Sequence, residues 1–188
     1  VASTVETQRG GGTYQYETNR IDRVAGLYVT NPSGDGMLSV VAGGDISLQA
    51  AQIRNAGTDG LTQLAAGGNL DVGAIALDER RDATFDDRNH QRTSKTTHAA
   101  TSVQGGGDVV LAAGNDINLA AAQIKAGGGL ALQAGGDINS QALVDSESRD
   151  FSSAGKRSSL QVSQRDETVR GSLLQAGDNL LLTAGRDV

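Results

Sequence analysis

AGGDISLQAAQIRNAG runs from Ala42 to Gly57, and AGNDINLAAAQIKAGG runs from Ala113 to Gly128. The second segment repeats the first at a step of 71 in the numbering, and from Met37 to Gly57 nearly half of the positions are identical to their partners. AGRDV begins at Ala184, one further step of 71, so Asp45, Asp116 and Asp187 mark the same place in three units. A period on this scale identifies a repeat array, in which a recurring residue is first of all structural.

A smaller period lies inside the larger one. Asp45 and Asn69 occupy the same place in AGGDISL and AGGNLDV, a step of 24; Asp116 and Asp137 do so in AGNDINL and AGGDINS, a step of 21. Alternation of apolar and polar residues at period 2 is a strand signal. The residues Gly44, Asp45, Gly68, Asn69, Asn115, Asp116, Gly136 and Asp137 fall between the alternations. They read as structural turn residues whose side chains bond to local backbone. A fixed period of 21 to 24 decides against a sandwich or a barrel. It is the size of one coil of a β-helix, a strand pair plus its turns, which buries its apolar side chains only by stacking on its neighbours.

The fold expected is therefore all-β: a right-handed parallel β-helix, or solenoid, with the hand taken from the crossover preference of parallel strands. Ile46, Leu48, Leu70, Val72, Ile117, Leu119, Leu130, Leu132 and Ile138 are the expected core ladder. About eight coils at a rise of about 4.8 Å would make a shaft on the order of 40 Å long.

Three stretches do not fit a coil. DDRNHQRTSKTTH, from Asp86 to His98, holds no aliphatic or aromatic residue and supplies no inward ladder. ALVDSESRDF, from Ala142, matches ALDERRDATF, from Ala76, and a third polar stretch runs from Glu6 to Arg23. Residues 1–188 thus read as a single β-helical repeat fragment with polar excursions near 6–24, 78–101 and 145–168. Between Asp78 and Lys95 the acidic and basic residues balance in number, and the same holds from Asp145 to Arg170. Mixed charge on alternating Thr and Ser points to solvated β-hairpins outside the coils. At about three coils, or roughly 14 Å, apart, upright hairpins would be too distant to pair directly; pairing into an outer sheet would require them to lean.

Composition narrows the function. Gly is 26 of 188 residues, about twice the usual share, while Pro occurs once and aromatics make up 3 %. The formal net charge of -6, from 16 basic and 22 acidic residues, gives no electrostatic basis for binding nucleic acid. No apolar run is long enough to span a membrane as a helix. Cysteine is absent, which removes disulfides, thiolate metal sites and cysteine nucleophiles together and suits a chain exported through an oxidising periplasm. Val1 lies inside a polar stretch and Val188 inside a repeat, which reads as a piece of a longer polypeptide.

AGGDISLQAAQIRNAG, AGNDINLAAAQIKAGG and LLQAGDNLLLTAGRDV (from Leu173) closely resemble the haemagglutinin repeats of filamentous-haemagglutinin-type exoproteins. The resemblance covers nearly the whole chain. It is strongest to the second repeat region of contact-dependent growth-inhibition proteins, where AGGD coils alternate with Ser/Thr/Arg-rich stretches. It implies a secreted or cell-surface filament exported by two-partner secretion through an outer-membrane transporter. In toxin-bearing members it implies a segment that helps pass the toxin across the target cell's outer membrane. The partners implied are other repeats of the same polypeptide, that transporter and the target-cell envelope.

The residues that could carry chemistry read as structural or solvated. A calcium β-roll repeats G-G-x-G-x-D every nine residues, whereas GGDI recurs here at 21 to 24. His90 and His98 read as solvated loop histidines with no carboxylate at ligand spacing. A sugar-cleaving β-helix enzyme needs carboxylates and basic residues on one exposed groove; Asp82, Asp86, Asp87 and Arg88 are the densest such cluster, and ordinary surface charge explains it about as well. Tyr14, Tyr16 and Tyr28 read as shields for a hairpin edge. Gly105 to Gly107 resemble part of a phosphate loop, without the Lys-Ser/Thr or the helix it needs. The expectation is a non-enzymatic chain with no cofactor and no metal. The alternative is an adhesin module that binds surface glycan or protein through its hairpins.

Overall fold

The computed structural model describes residues 2–9 and 12–188, and among them there is no helix. The chain opens on a hairpin, β1 (Ala2–Arg9) and β2 (Gly12–Asn19). A first coil follows: β3 (Gly26–Val29), β4 (Met37–Ala42) and β5 (Ile46–Gln49). The second coil is β6 (Gln52–Asn55), β7 (Leu61–Ala66) and the start of β8 (Leu70–Asp86). β8 runs on into a second hairpin with β9 (Asn89–Ala100). Coils three and four are β10 (Ser102–Gly105), β11 (Asp108–Ala113), β12 (Ile117–Ala120) and then β13 (Gln123–Ala126), β14 (Leu130–Ala134), β15 (Ile138–Gln141). The third hairpin, β16 (Leu143–Ala154) and β17 (Ser159–Arg170), precedes a last coil of β18 (Leu173–Ala176) and β19 (Leu180–Ala184).

The coils form a parallel β-helix. Its strands stack in three parallel sheets: β3-β6-β10-β13-β18, β4-β7-β11-β14-β19, and β5-β8-β12-β15. Each complete coil therefore has three strands, where the sequence period suggested a pair. The described residues hold five coils rather than about eight, because the excursions consume chain without adding coils. Along the β4-β7-β11-β14-β19 sheet, directly consecutive coils are offset by 24 in the numbering (Met37 beside Leu61) or by 21 (Val109 beside Leu130). On the same sheet, coils separated by a hairpin are offset by 47 (Leu61 beside Asp108) or 50 (Leu130 beside Leu180). One short and one long step together make the period of 71.

The core is aliphatic and close-packed. Of the expected ladder, Ile46, Leu70, Val72, Ile117, Leu119, Leu130, Leu132 and Ile138 are buried, and Leu48 is half-buried against the same cluster. Ile53, Leu64, Val103, Val109, Leu111 and Ile124 are equally deep and complete the other two faces. Coil corners need residues without bulk. A Cβ on Gly114 would stand 2.2 Å from the Gly67 carbonyl oxygen, and one on Gly135 would stand 2.2 Å from that of Gly114. Ala50 and Ala121 hold equivalent places in successive repeats. They turn the corner after β5 and β12 with φ of 51°, the left-handed region where alanine is uncommon.

The turn residues do not bond to their own loop. Asp45 Oδ1 accepts the Asn69 N–H at 2.7 Å, Asn69 Oδ1 that of Asp116 at 3.2 Å, Asp116 Oδ1 that of Asp137 at 2.8 Å, and Asp137 Oδ1 that of Asp187 at 3.1 Å. Each bond reaches the next coil, because stacking at about 4.8 Å brings that backbone N–H within a carboxylate's reach. Arg186 adds a clamp, at 3.1 Å from both Asp116 and Asp137.

Candidate functional site

The chain separates into two compact units. One holds the coils (Val24–Ile75, Ala99–Leu143 and Arg170–Val188); the other holds the three hairpins, ending at Arg23 and comprising Ala76–His98 and Val144–Val169. Polar side chains with chemistry concentrate in the hairpin unit.

The three hairpins pair directly, strand to strand, in the order β1-β2-β8-β9-β16-β17. The sheet expected only for leaning hairpins is thus present. In the β2–β8 junction, antiparallel, Tyr16 lies opposite Arg81 and Thr18 opposite Glu79. In the β9–β16 junction Lys95 lies opposite Glu147 and Thr93 opposite Arg149. These residues make one face of the sheet, with a shallow groove of about 260 Å³ lined by Glu79, Arg81, Thr93, Lys95, Glu147 and Arg149. Four of its five charges form two pairs, and Lys95 stands opposite Glu147 outside them. Arg81 meets Glu79 at 2.7 Å and Arg149 meets Glu147 at 2.6 Å. The Glu79 carboxylate beside Arg81 raises the guanidinium's pKa, and the Arg149 hydrogen bond, aided by the Arg149 and Lys95 charges, holds Glu147 below the usual carboxylate range. The Arg81 guanidinium also lies 5.3 Å from the centre of the Tyr16 ring, within cation–π reach. The Tyr16 phenol is itself shifted down, chiefly by a hydrogen bond from Arg20.

The opposite face is tighter. Asp82 accepts from Arg92 Nε at 3.0 Å and from Thr84 at 2.8 Å, and Thr96 donates to Asp78 at 2.7 Å. The histidines depart from expectation. Both sit on β9 rather than in loops, and both face an aspartate of the next hairpin. His98 Nδ1 is 2.9 Å from Asp145 Oδ1, and the same oxygen accepts the His98 backbone N–H at 2.9 Å. His90 Nε2 is 3.7 Å from Asp150 Oδ1, and these two atoms are buried without a hydrogen-bond partner. Spacing along the chain hid both pairs, because lateral pairing of hairpins brings together positions that are remote in sequence.

The other singled-out residues have structural places. Asp86 closes the β8–β9 turn, accepting from the Arg88 and Asn89 backbone N–H groups at 2.8 and 2.9 Å and from the Asn89 side chain. The Asn89 amide, with those backbone bonds, holds the Asp86 pKa down. Asp87 and Arg88 are exposed at the same turn. Tyr14 and Tyr16 lie on hairpin strand β2, but Tyr28 lies on coil strand β3, where its hydroxyl donates to Gln52 at 2.9 Å. Gly105 ends β10, and Gly106 and Gly107 make the turn to β11. Among the described residues no group of three or more His, Cys, Asp or Glu side chains is arranged to hold a metal ion.

A family model described as "Hemagglutinin repeat" matches residues 27–155, from the first coil strand to the end of β16. The chain belongs to the hemagglutinin repeat family. Neither a curated protein nor a solved structure matches it. The hemagglutinin repeat assignment fits the β-helical coils and supports a structural segment of a large exoprotein. In this hemagglutinin repeat the hairpin sheet is the candidate site, since it gathers the paired histidines and most of the ion pairs.

Proposed function

We propose that this chain is a non-enzymatic segment of a β-helical filament that helps carry a toxin across a target cell's outer membrane in contact-dependent growth inhibition. The observation that carries this reading is that four of the five groove charges are already engaged, Arg81 by Glu79 and Arg149 by Glu147, with Lys95 opposite Glu147. A surface whose charges are mostly engaged by its own residues has little left to offer a receptor, which suits a positioning or conducting role. The resemblance of its coils to the second repeat region of toxin-delivery exoproteins supports the same reading. Export through an outer-membrane two-partner transporter, and engagement of the target envelope, belong to the proposal.

A second reading, an adhesin binding surface glycan or protein, is favoured by aromatic rings left open on the hairpins: Tyr14, Phe85 and Phe151 are all exposed. The test replaces residues 76–98 of the full-length exoprotein by a short Gly-Ser turn and measures cell binding and growth inhibition separately. Inhibition lost with binding retained supports delivery. Binding lost together with inhibition supports the adhesin and overturns the delivery reading.

A further inference from the structure

We infer that the seam between the second and third hairpins is a proton-operated clamp, tight when His90 and His98 are charged and loosened when they are neutral. Both histidines of the chain lie on β9, and each meets an aspartate of β16 across that seam. His98 Nδ1 stands 2.9 Å from Asp145 Oδ1, with the two side chains 14 % and 11 % exposed. His90 Nε2 stands 3.7 Å from Asp150 Oδ1, and neither atom has a hydrogen-bond partner although both are shielded from solvent.

The two distances ask different things of the proton. A neutral imidazole carries one N–H, and from Nδ1 of His98 it can still donate to Asp145. At 3.7 Å no hydrogen bond forms, so what draws the His90 ring to Asp150 is charge. Without that charge, a buried carboxylate oxygen faces a ring nitrogen and gains nothing for its lost water. An imidazolium instead makes a charge-assisted bond at His98 and a Coulomb attraction at His90, both strengthened by the shielding. The sign follows. Imidazole is ordinarily charged below about pH 6.5 and a carboxylate above about pH 3.9, so both attractions hold between those values and fade as pH rises through the upper one.

The neighbouring charges are occupied with one another. On β8, Asp82 accepts from Arg92 Nε at 3.0 Å and lies 3.9 Å from Arg80. Asp78 accepts from Thr96 and from the Asn19 amide, and Asp86 is turned to Asn89 and the Arg88 N–H. On β16, Glu147 meets Arg149; on β17, which pairs with β16, Glu167 meets Arg165 and Asp166 meets Gln164. Lys95 lies opposite Glu147. Asp145 and Asp150 are thus the carboxylates that the two imidazoles meet. The β2–β8 seam, between the first and second hairpins, is built the same way, antiparallel, but holds no histidine.

That second seam is the internal control. Amide hydrogen exchange of the full chain is measured at about pH 5.5 and about pH 8, on either side of the ordinary imidazole value. Protection at the β9–β16 seam is divided by protection at the β2–β8 seam, which cancels the intrinsic pH dependence of exchange. The ratio should fall roughly tenfold from the lower pH to the higher, the scale of one charge-assisted hydrogen bond. A double variant, His90→Gln with His98→Asn, keeps neutral donors of similar reach and should flatten the ratio. Asp150→Asn, at a side chain 41 % exposed, removes one attraction without touching a histidine and should shrink the fall. A wild-type ratio equal at the two pH values overturns the inference. So does a fall that the double variant retains, or one that Asp150→Asn leaves at full size.

Discussion

The Thr101 hydroxyl accepts the backbone N–H of Ala51, from the preceding coil, at 3.2 Å, and donates to the Leu48 carbonyl at 3.1 Å. Thr101 is fully buried. It thereby satisfies both backbone groups beside the corner that Ala50 turns in the left-handed conformation. The equivalent site in the next repeat uses Ser172, whose hydroxyl accepts the Ala122 N–H at 3.2 Å next to Ala121.

Thr101→Val removes the hydroxyl at nearly constant shape and strands the buried Ala51 N–H, so it should destabilise the coil unit by about 1–3 kcal/mol. Thr101→Ser keeps the bonds and should lose only a methyl's worth of burial, about 1 kcal/mol. Denaturant unfolding of both variants checks this. Equal stability of wild type and Thr101→Val would show that the corner does not depend on this hydroxyl.

Thr62 gives the opposite sign. It is fully buried on β7 and its hydroxyl has no hydrogen-bond partner. An unsatisfied buried hydroxyl carries its desolvation cost without return, so Thr62→Val should stabilise the chain by about 1 kcal/mol. The gain should appear as a higher denaturation midpoint with an unchanged slope.

Glycine tolerance should depend on the corner. A methyl on Gly114 would meet the Gly67 carbonyl oxygen at 2.2 Å, whereas one on Gly171, between β17 and β18, would meet nothing within 4 Å. Gly114→Ala should cost about 2 kcal/mol or more, because the two backbones must separate. Gly171→Ala should stay within about 0.5 kcal/mol of wild type. Thermal unfolding of the pair tests whether coil contact sets the difference.

The β8–β9 turn should respond to acid through Asp86. Its folded pKa is held down by the Asn89 amide and the Arg88 backbone N–H. A depressed carboxylate stabilises the fold above its unfolded value, about 3.9, and that contribution is lost as pH falls through the lower folded value. A carboxyl NMR titration should place the Asp86 midpoint below that unfolded value. Asn89→Ala should move the midpoint back up towards it, and should also free the Ala154 N–H that Asn89 Oδ1 accepts at 2.8 Å. A midpoint unchanged by Asn89→Ala would rule out the amide as the cause.

Coil residues and excursion residues were separable in the sequence because they solve different problems. Ile117 and Leu119 alternate with polar neighbours and must face a core, while Asp86 to His98 has no aliphatic side chain to bury. The number of strands per coil was harder to read. Ile53 and Ile124 stand alone between Gln and a basic residue, in QIR and QIK, and one apolar residue is too short a pattern to announce a strand. Their burial, with 2 % and 0 % of their surface exposed, is supplied by strands stacked above and below.

Local alternation and repetition along one dimension are enough to specify the β-helix, its period of 71 and the places where the chain leaves the coil. The bond of Asp45 to Asn69 of the next coil, the meeting of His98 with Asp145 and the pairing of the three hairpins into one sheet arise in the folded chain alone. Each of these joins residues from separate turns of the chain. Their spacing depends on how much polypeptide each excursion consumes, which no local pattern specifies, whereas backbone hydrogen bonding at the sheet spacing fixes which residues then stand side by side.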